Sequence, residues 1–298
     1  MHSKRRKDMS RIDNKFILSN QTEVPWIGFG TYNAKGGDNL LMIKTAIEAG
    51  YRYFDTASLY GTERALGQAI KESGIPREEF ILASKAWHDE MGTEKTRQAF
   101  FRSLERLQTE YLDLYLIHWP KADESDPAWK QQIIDTWRTM ESLVDEGRVK
   151  AIGLSNFLPH HLDVVLQNCR IRPAVNQLEV HPGYLQEAAC AYAKANGILV
   201  QAWSPLARGS VQEGSVLQTF ADKYGVSVAK LCLRFLYQKG IMPLVKASSK
   251  ERMLENMDVF NFDISDEDIK IITCMPQQFW SGEHPDFAIP KVSSNPAQ

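Results

Sequence analysis

A chain of 298 residues, 43% hydrophobic and 24% charged, has the composition of a globular protein and is long enough for one large α/β domain or two ordinary ones. With 35 basic against 37 acidic side chains the formal net charge is −2, which offers no general attraction to nucleic acid. No apolar run approaches the roughly 20 residues needed to cross a bilayer, so no membrane partner is expected.

Residues 1–12 carry Lys4, Arg5, Arg6, Lys7 and Arg11 and read as a solvated, flexible basic arm. The arm lacks the apolar core of a secretory signal, so a cytoplasmic protein is expected. Cys169, Cys190, Cys232 and Cys274 form no C-x-x-C pair and read as small buried hydrophobes on helical segments in a reducing compartment.

The run FILSNQTEVPWIGFGTY holds two short β-type segments about a polar turn at Ser19 to Gln21, a hairpin. A rhythm follows in which β-branched or aromatic runs alternate with stretches of helical spacing. The runs are WIGFG, YRYFD, FILASK, LDLYLIHW, VKAIGLSN, AVNQLEV, ILVQAWS and IMPLVK. Ile133, Ile134, Trp137, Met140 and Val144 show the helical spacing, and Gly50, Gly74, Gly147 and Gly197 stand where helices should end in a left-handed residue. Ser265 and Asp268 open a last helix as a capping pair.

Eight such β/α pairs over about 250 residues predict a single (β/α)8 TIM barrel across residues 13–298. A doubly wound sheet would bring a G-x-G-x-x-G turn, and Gly28, Gly30 and then Asn33 do not complete one.

Chemistry in such a barrel sits at the C-terminal strand ends, and here those ends are polar: Asp55, Lys85, His118, Ser155 with Asn156, Gln177, Ser204 and Lys246. Singly, each is as well explained as a cap or turn residue; seven successive ends on one face are not. In YRYFDTASLY, Asp55 ends an apolar run and Tyr60 follows in the loop. A phenol with an ordinary pKa of about 10 is a poor acid near neutrality unless its anion is stabilised. Lys85 within reach would lower it by roughly two units, about 2.7 kcal/mol, while Asp55 kept Lys85 charged. His118 could then hydrogen-bond a substrate oxygen. The four make a proton-delivery device. No nucleophile is evident among them, and the absence of a second close carboxylate or a His/Cys cluster speaks against a metal centre.

These residues resemble the aldo-keto reductase family, in particular its bacterial members of the 2,5-diketo-D-gluconate reductase kind. The resemblance rests on GFGTY, the D-x-x-x-x-Y of FDTASLYGTE, the lysine of ILASKAW, the histidine of LYLIHWP, GLSNF, the NQ of AVNQLEV, AWSPLARG and the lysine-to-arginine spacing of VKASSKERMLEN. It implies that Asp55, Tyr60, Lys85 and His118 form the catalytic tetrad of carbonyl reduction, with Tyr60 the general acid. It implies cofactor contacts from Gly30, Thr31 and Asp55, a nicotinamide ring stacked on Trp203, and a carboxamide bonded by Ser155, Asn156 and Gln177. The pyrophosphate would lie along Ser204, Pro205 and Leu206, and the adenosine end would meet Lys246, Ser248, Arg252, Glu255 and Asn256. Tyr32, Leu59, Trp87, His118 and Trp119 would line the substrate pocket, and the loop from Phe279 to Pro290 would close over it.

A capping box of Ser248 with Glu251 would aim free amides and a positive dipole end at a phosphate, and Lys246 and Arg252 add cations. Together these favour NADPH over NADH. Two positions depart from the family pattern: Val245 stands where proline is commoner, and Ala247 where a serine or asparagine commonly meets the phosphate. Two other readings stay open. A barrel lyase could use Lys85 or Lys246 as a Schiff-base nucleophile, and a nucleotide-binding regulatory protein could keep the site with little turnover. A small-molecule carbonyl partner and a monomer are expected.

Overall fold

A computed structural model of the chain describes residues 14–32, 36–121, 123, 125–211, 216–287 and 289–290; the expected basic arm lies outside them. The segment after that arm folds as the expected hairpin, β1 (Lys15–Ile17) antiparallel to β2 (Glu23–Pro25), with Phe16 opposite Val24. The eight runs become β3 (Gly28–Gly30), β4 (Tyr53–Asp55), β5 (Ile81–Ala86), β6 (Leu112–Ile117), β7 (Val149–Ser155), β8 (Val175–Glu179), β9 (Leu199–Trp203) and β10 (Met242–Val245). Each pairs in parallel with its neighbour in sequence, and β10 returns to β3 to close the cylinder. Closure leaves the barrel without free edges.

Period-two alternation along the strands sorts the apolar side chains into two populations. Phe54, Leu82, Tyr115, Ile117, Ile152, Leu178 and Val200 pack outward against the helices. Tyr53, Ala83, Leu114, Leu116, Ala151, Val175, Met242 and Leu244 fill the interior, where Leu18 and Val24 of the hairpin segment join them and plug the N-terminal end. The interior is crowded enough to require glycine. A Cβ on Gly153 would lie 2.6 Å from Val175 Cγ2 and 2.8 Å from Leu116 Cδ2. One step further along the inward positions come Asp55, Lys85, His118, Ser155, Gln177 and Gln201. The same alternation that packs the floor therefore aims polar groups at the C-terminal mouth.

The helices end as expected at Gly50, Gly74, Gly147 and Gly197, all with positive φ, and Ser265 caps Asp266–Thr273 by accepting from the Asp268 amide. Two expectations are corrected. The helix Lys250–Met257 is capped by Ser249, in extended conformation at φ −127°, which accepts from the Arg252 amide. That register puts Arg252, not Glu251, at the third helical position, so the Ser248–Glu251 capping box does not form. Nor are the cysteines all buried helical residues: Cys232 is buried, Cys169 and Cys190 are half-buried and Cys274 is exposed. Cys169 falls beyond the end of Pro159–Leu166, and Cys274 is the cap residue that follows Asp266–Thr273.

Candidate active site

Asp55 is the last residue of β4, Lys85 lies near the end of β5, and His118 directly follows β6. Tyr60 closes a 3-10 turn, Ser58–Tyr60, that the left-handed Gly61 terminates. Lys85 Nζ, fully buried, donates to Asp55 Oδ1 at 2.6 Å, to the Thr56 carbonyl at 2.9 Å and to the Tyr60 hydroxyl at 3.3 Å. The Tyr60 hydroxyl is also 3.3 Å from His118 Nε2. The four residues expected to act together form one connected group at the mouth.

Their electrostatics differ from the expectation in one respect. Burial pushes the Tyr60 phenol well above its ordinary value, and the Asp55 charge adds to that, so with Lys85 in contact the phenol is still less acidic than an ordinary one. The reason lies in the geometry: the ammonium touching the phenol is neutralised at shorter range by Asp55, so the phenol meets an ion pair rather than a lone cation. Burial pulls Lys85 below its ordinary value against the opposing charge of Asp55. His118 is drawn well below the ordinary imidazole value by burial and then by the Lys85 charge, so its ring is neutral.

The residues expected at the nicotinamide end join this group. Gln177 Nε2 donates to Asp55 Oδ2 at 2.9 Å, and Ser155 Oγ donates to the Gln177 carbonyl at 3.1 Å. Asn156, left-handed at φ 63°, donates to the His118 carbonyl at 3.0 Å and accepts from Trp203 Nε1 at 2.8 Å, tying the ends of β6 and β9 together. Asparagine tolerates that conformation at little cost. Ser204, Ala207 and Arg208 also have positive φ, so the chain after β9 turns sharply around Pro205 and Leu206, and the Arg208 guanidinium lies 5.6 Å from the Trp203 ring. Gly30 pairs with Asp55 across β3 and β4, and the buried Thr31 donates to the Asp55 carbonyl at 3.1 Å.

At the end of β10, Lys246, Ser248 and Arg252 are exposed, Glu255 is half-buried, and Asn256 is buried beside Tyr51. Exposed cations and a serine-capped helix start with its amides outward are suited to a phosphate ester. Ala247, by contrast, is buried and presents no polar side chain.

The pocket wall is aromatic. Trp87 and Trp119 are buried and pack with Ile289 and the half-buried Leu59, and the Trp87 ring meets His118 edge-on at 4.7 Å. Tyr32, half exposed, lies 5.0 Å from the Tyr60 ring. Ile289 belongs to the C-terminal loop, which does fold over this wall. Ser281 Oγ donates to Glu179 at 2.7 Å, Arg208 pairs with Glu283 at 3.0 Å, and the Pro290 carbonyl accepts from His88 at 3.2 Å.

Asp286 Oδ1 in the same loop meets Lys121 at 3.2 Å and His160 and His161 at 3.0 Å each. This cluster was not foreseen in the sequence, and it brings together a metal-ligand set. Its chemistry argues for a latch instead. His161 Nδ1 accepts the Leu158 amide, which leaves the ring proton on Nε2 facing Asp286, and the Lys121 ammonium already occupies the carboxylate. The His161 contact is electrostatic rather than a well-directed hydrogen bond, and burial pulls that ring down to about 3. Burial would raise the Asp286 carboxyl, but the His160 and His161 contacts hold it below its ordinary value.

Sequence reasoning also missed two buried carboxylates behind the tetrad, Glu63, which accepts from Ser84 at 2.7 Å, and Glu90, which accepts from Ser58 at 2.6 Å. A carboxylate on a polar helix start looks solvated until its distant partners are known. The lyase reading is disfavoured at Lys85, whose nitrogen is buried and engaged by Asp55 rather than free as an amine.

Comparison with known proteins agrees with this architecture. The family model "Aldo/keto reductase family" matches residues 26–275. Glyoxal reductase of Bacillus subtilis is 42% identical over 270 residues, covering 90% of this chain and 95% of the relative. The 9,11-endoperoxide prostaglandin H2 reductase of Trypanosoma cruzi is 40% identical, covering 93% and 96%. Among solved structures, an aldo/keto reductase from Brucella melitensis superposes with a TM-score of 0.81 at 36% identity, covering 87% of this chain and 98% of the other. A Bombyx mori aldo-keto reductase solved with NADP does so with a TM-score of 0.81 at 30% identity, covering 93% and 99%. The chain belongs to the aldo/keto reductase family and is an NAD(P)H-dependent oxidoreductase.

Proposed function

We propose that the protein reduces small or medium aldehydes and ketones with an apolar side, that NADPH is its preferred cofactor, and that Tyr60 is the proton donor. The observation that carries this reading is the position of the Tyr60 hydroxyl, 3.3 Å from Lys85 Nζ and 3.3 Å from His118 Nε2 at the mouth of the barrel.

His118 Nδ1 is buried without a hydrogen-bond partner. An orphaned N–H costs more than an orphaned lone pair, so the neutral ring carries its proton on Nε2. The Tyr60 oxygen then accepts from His118 and from Lys85, which uses both of its lone pairs. Its own proton has to point outward, toward the place a carbonyl oxygen would occupy. Held above its ordinary pKa by burial, the phenol is a weaker acid than a free one, so it keeps that proton in the resting site and gives it up only to the strongly basic oxygen that hydride addition creates.

Bound NADPH supplies the hydride. Trp203 offers a ring face to the nicotinamide, with Ser155, Asn156 and Gln177 as amide and hydroxyl partners for its carboxamide. Gly30 and Thr31 would border it, and Ser204, Pro205 and Leu206 would flank the pyrophosphate. Lys246, Ser248 and Arg252 would hold the 2′-phosphate, and Glu255 and Asn256 would face the adenosine. Tyr32, Leu59, Trp87 and Trp119 bound the substrate and exclude water from the reacting oxygen.

The test is Tyr60→Phe. Turnover of NADPH with a panel of aldehydes, ketones and dicarbonyls should fall about 10²- to 10⁴-fold while NADPH binding, followed by fluorescence, stays near normal. Undiminished turnover in the variant would refute Tyr60 as the donor.

A further inference from the structure

The carboxylate of Glu90 joins the two pieces of chain that carry the proposed proton donor and the wall of its histidine partner. Glu90 ends the 3-10 turn His88–Glu90 that follows β5 and is 5% exposed. Its Oε2 accepts from the Ser58 hydroxyl at 2.6 Å and from the Trp87 amide at 2.9 Å, and its Oε1 accepts from Arg102 at 3.1 Å. Ser58 opens the turn that ends at Tyr60, and that turn has no side-chain cap of its own. Trp87 packs edge-on against His118. One carboxylate oxygen is thus shared between the backbone that delivers Tyr60 and the ring that bounds His118.

We propose that Glu90 is a positioning residue: through Ser58 and Trp87 it holds the Tyr60 hydroxyl at its working distance from His118 and Lys85. Its hydrogen bonds and ion pair go to Ser58, Trp87, Thr96 and Arg102 and to none of the four residues themselves. The case rests on the proposed role of Tyr60. Glu90 is itself well held, since its carbonyl accepts from Thr96 at 2.9 Å and Arg102 neutralises its outer oxygen. A short charge-assisted bond from a buried hydroxyl is stronger and more directional than the contacts a loop normally makes. Reacting groups lose rate steeply when displaced by about an ångström, so a brace at this point acts on chemistry more than on binding.

No neutral isostere can replace the carboxylate. Three donors converge on Glu90, and a glutamine in either orientation would present its own amide hydrogens to at least one of them. Ser58→Ala removes only the link to the Tyr60 turn.

The experiment compares wild type, Ser58→Ala, Glu90→Gln and the double variant in the full-length protein. Hydride transfer is followed in single turnovers with 4-nitrobenzaldehyde, or another aldehyde that wild type reduces, using NADPH and NADPH deuterated at the transferred position. Ser58→Ala is expected to slow the transfer step about tenfold, with NADPH affinity within twofold of wild type and a larger isotope effect on kcat. Added to Glu90→Gln it should slow the step no further. A transfer rate and isotope effect within twofold of wild type in Ser58→Ala, whatever its melting temperature, would overturn the proposal, as would independent, multiplying effects of the two substitutions. Should Glu90→Gln not fold, Ser58→Ala decides alone. Tyr60→Phe run in parallel separates the two readings: if it retains full turnover the donor assignment fails, whereas if it is inactive and Ser58→Ala is normal only the brace fails.

Discussion

Replacing Asp55 with Asn strips the counter-charge from a lysine that has no access to water. Lys85 Nζ would keep only neutral acceptors, the amide oxygen of the new side chain, the Thr56 carbonyl at 2.9 Å and the Tyr60 hydroxyl at 3.3 Å. Breaking a buried pair on one side costs about 3–5 kcal/mol. There is also a ceiling, because the ammonium can discharge instead of remaining unpaired. Taking a lysine from its ordinary value of 10.5 to neutrality at pH 7 spans 3.5 units, about 4.8 kcal/mol at 1.36 kcal/mol per unit. At pH 9 the span is 1.5 units and the ceiling drops to about 2 kcal/mol. Urea unfolding of wild type and Asp55→Asn should therefore show a loss of about 3–5 kcal/mol at pH 7 that shrinks to about 2 kcal/mol or less at pH 9. A loss below about 1 kcal/mol at pH 7, or one that is undiminished at pH 9, would refute the description of Lys85 as a buried cation dependent on Asp55.

Other consequences can be tested alongside. His118 and His161 are held neutral in the fold, the latter pulled down to about 3, so above the ordinary 6.5 neither makes stability depend on pH. As pH falls through 6.5 the unfolded chain takes up protons that the native state refuses, and stability is lost at about 1.4 kcal/mol per pH unit for each ring. Denaturant melts between pH 6.5 and 5 should show this slope, and His161→Gln should reduce it by one ring's share; a flat profile in wild type would contradict it. Gly153→Ala would force a Cβ within 2.6 Å of Val175 and should cost about 1–3 kcal/mol, read from the same melts. Under the proposed cofactor assignment, Arg252→Ala should raise the Michaelis constant for NADPH about tenfold or more and leave that for NADH nearly unchanged, since only NADPH offers the 2′-phosphate. Equal effects in steady-state kinetics would exclude that contact.

Most of the architecture could be read from the chain because strands and helices announce themselves locally. The period-two runs, the helix-ending glycines and the polar strand ends are each decided within a few residues. That Asp55, Tyr60, Lys85 and His118 lie together was legible for the same reason: parallel strands of a barrel bring their ends to one rim, so strand order predicts proximity. What stayed hidden depends on contacts made across the fold. Glu90 in the polar stretch HDE and Asp286 in an irregular loop have nothing nearby to mark them as buried or shared. The direction in which Tyr60 is shifted was missed because the contest between burial and a cation already paired is settled by burial and charge together, not by the identity of a neighbour. Choosing Ser248 over Ser249 as the helix cap was a one-residue ambiguity between adjacent serines, which only the backbone angle resolves.

The stopper formed by Leu18 and Val24 at the floor of the cylinder has a kinetic corollary. A tube closed at its base has a single doorway. Whatever reaches Asp55, Lys85 and His118 must enter and depart over the same rim, past the loop that carries Ile289.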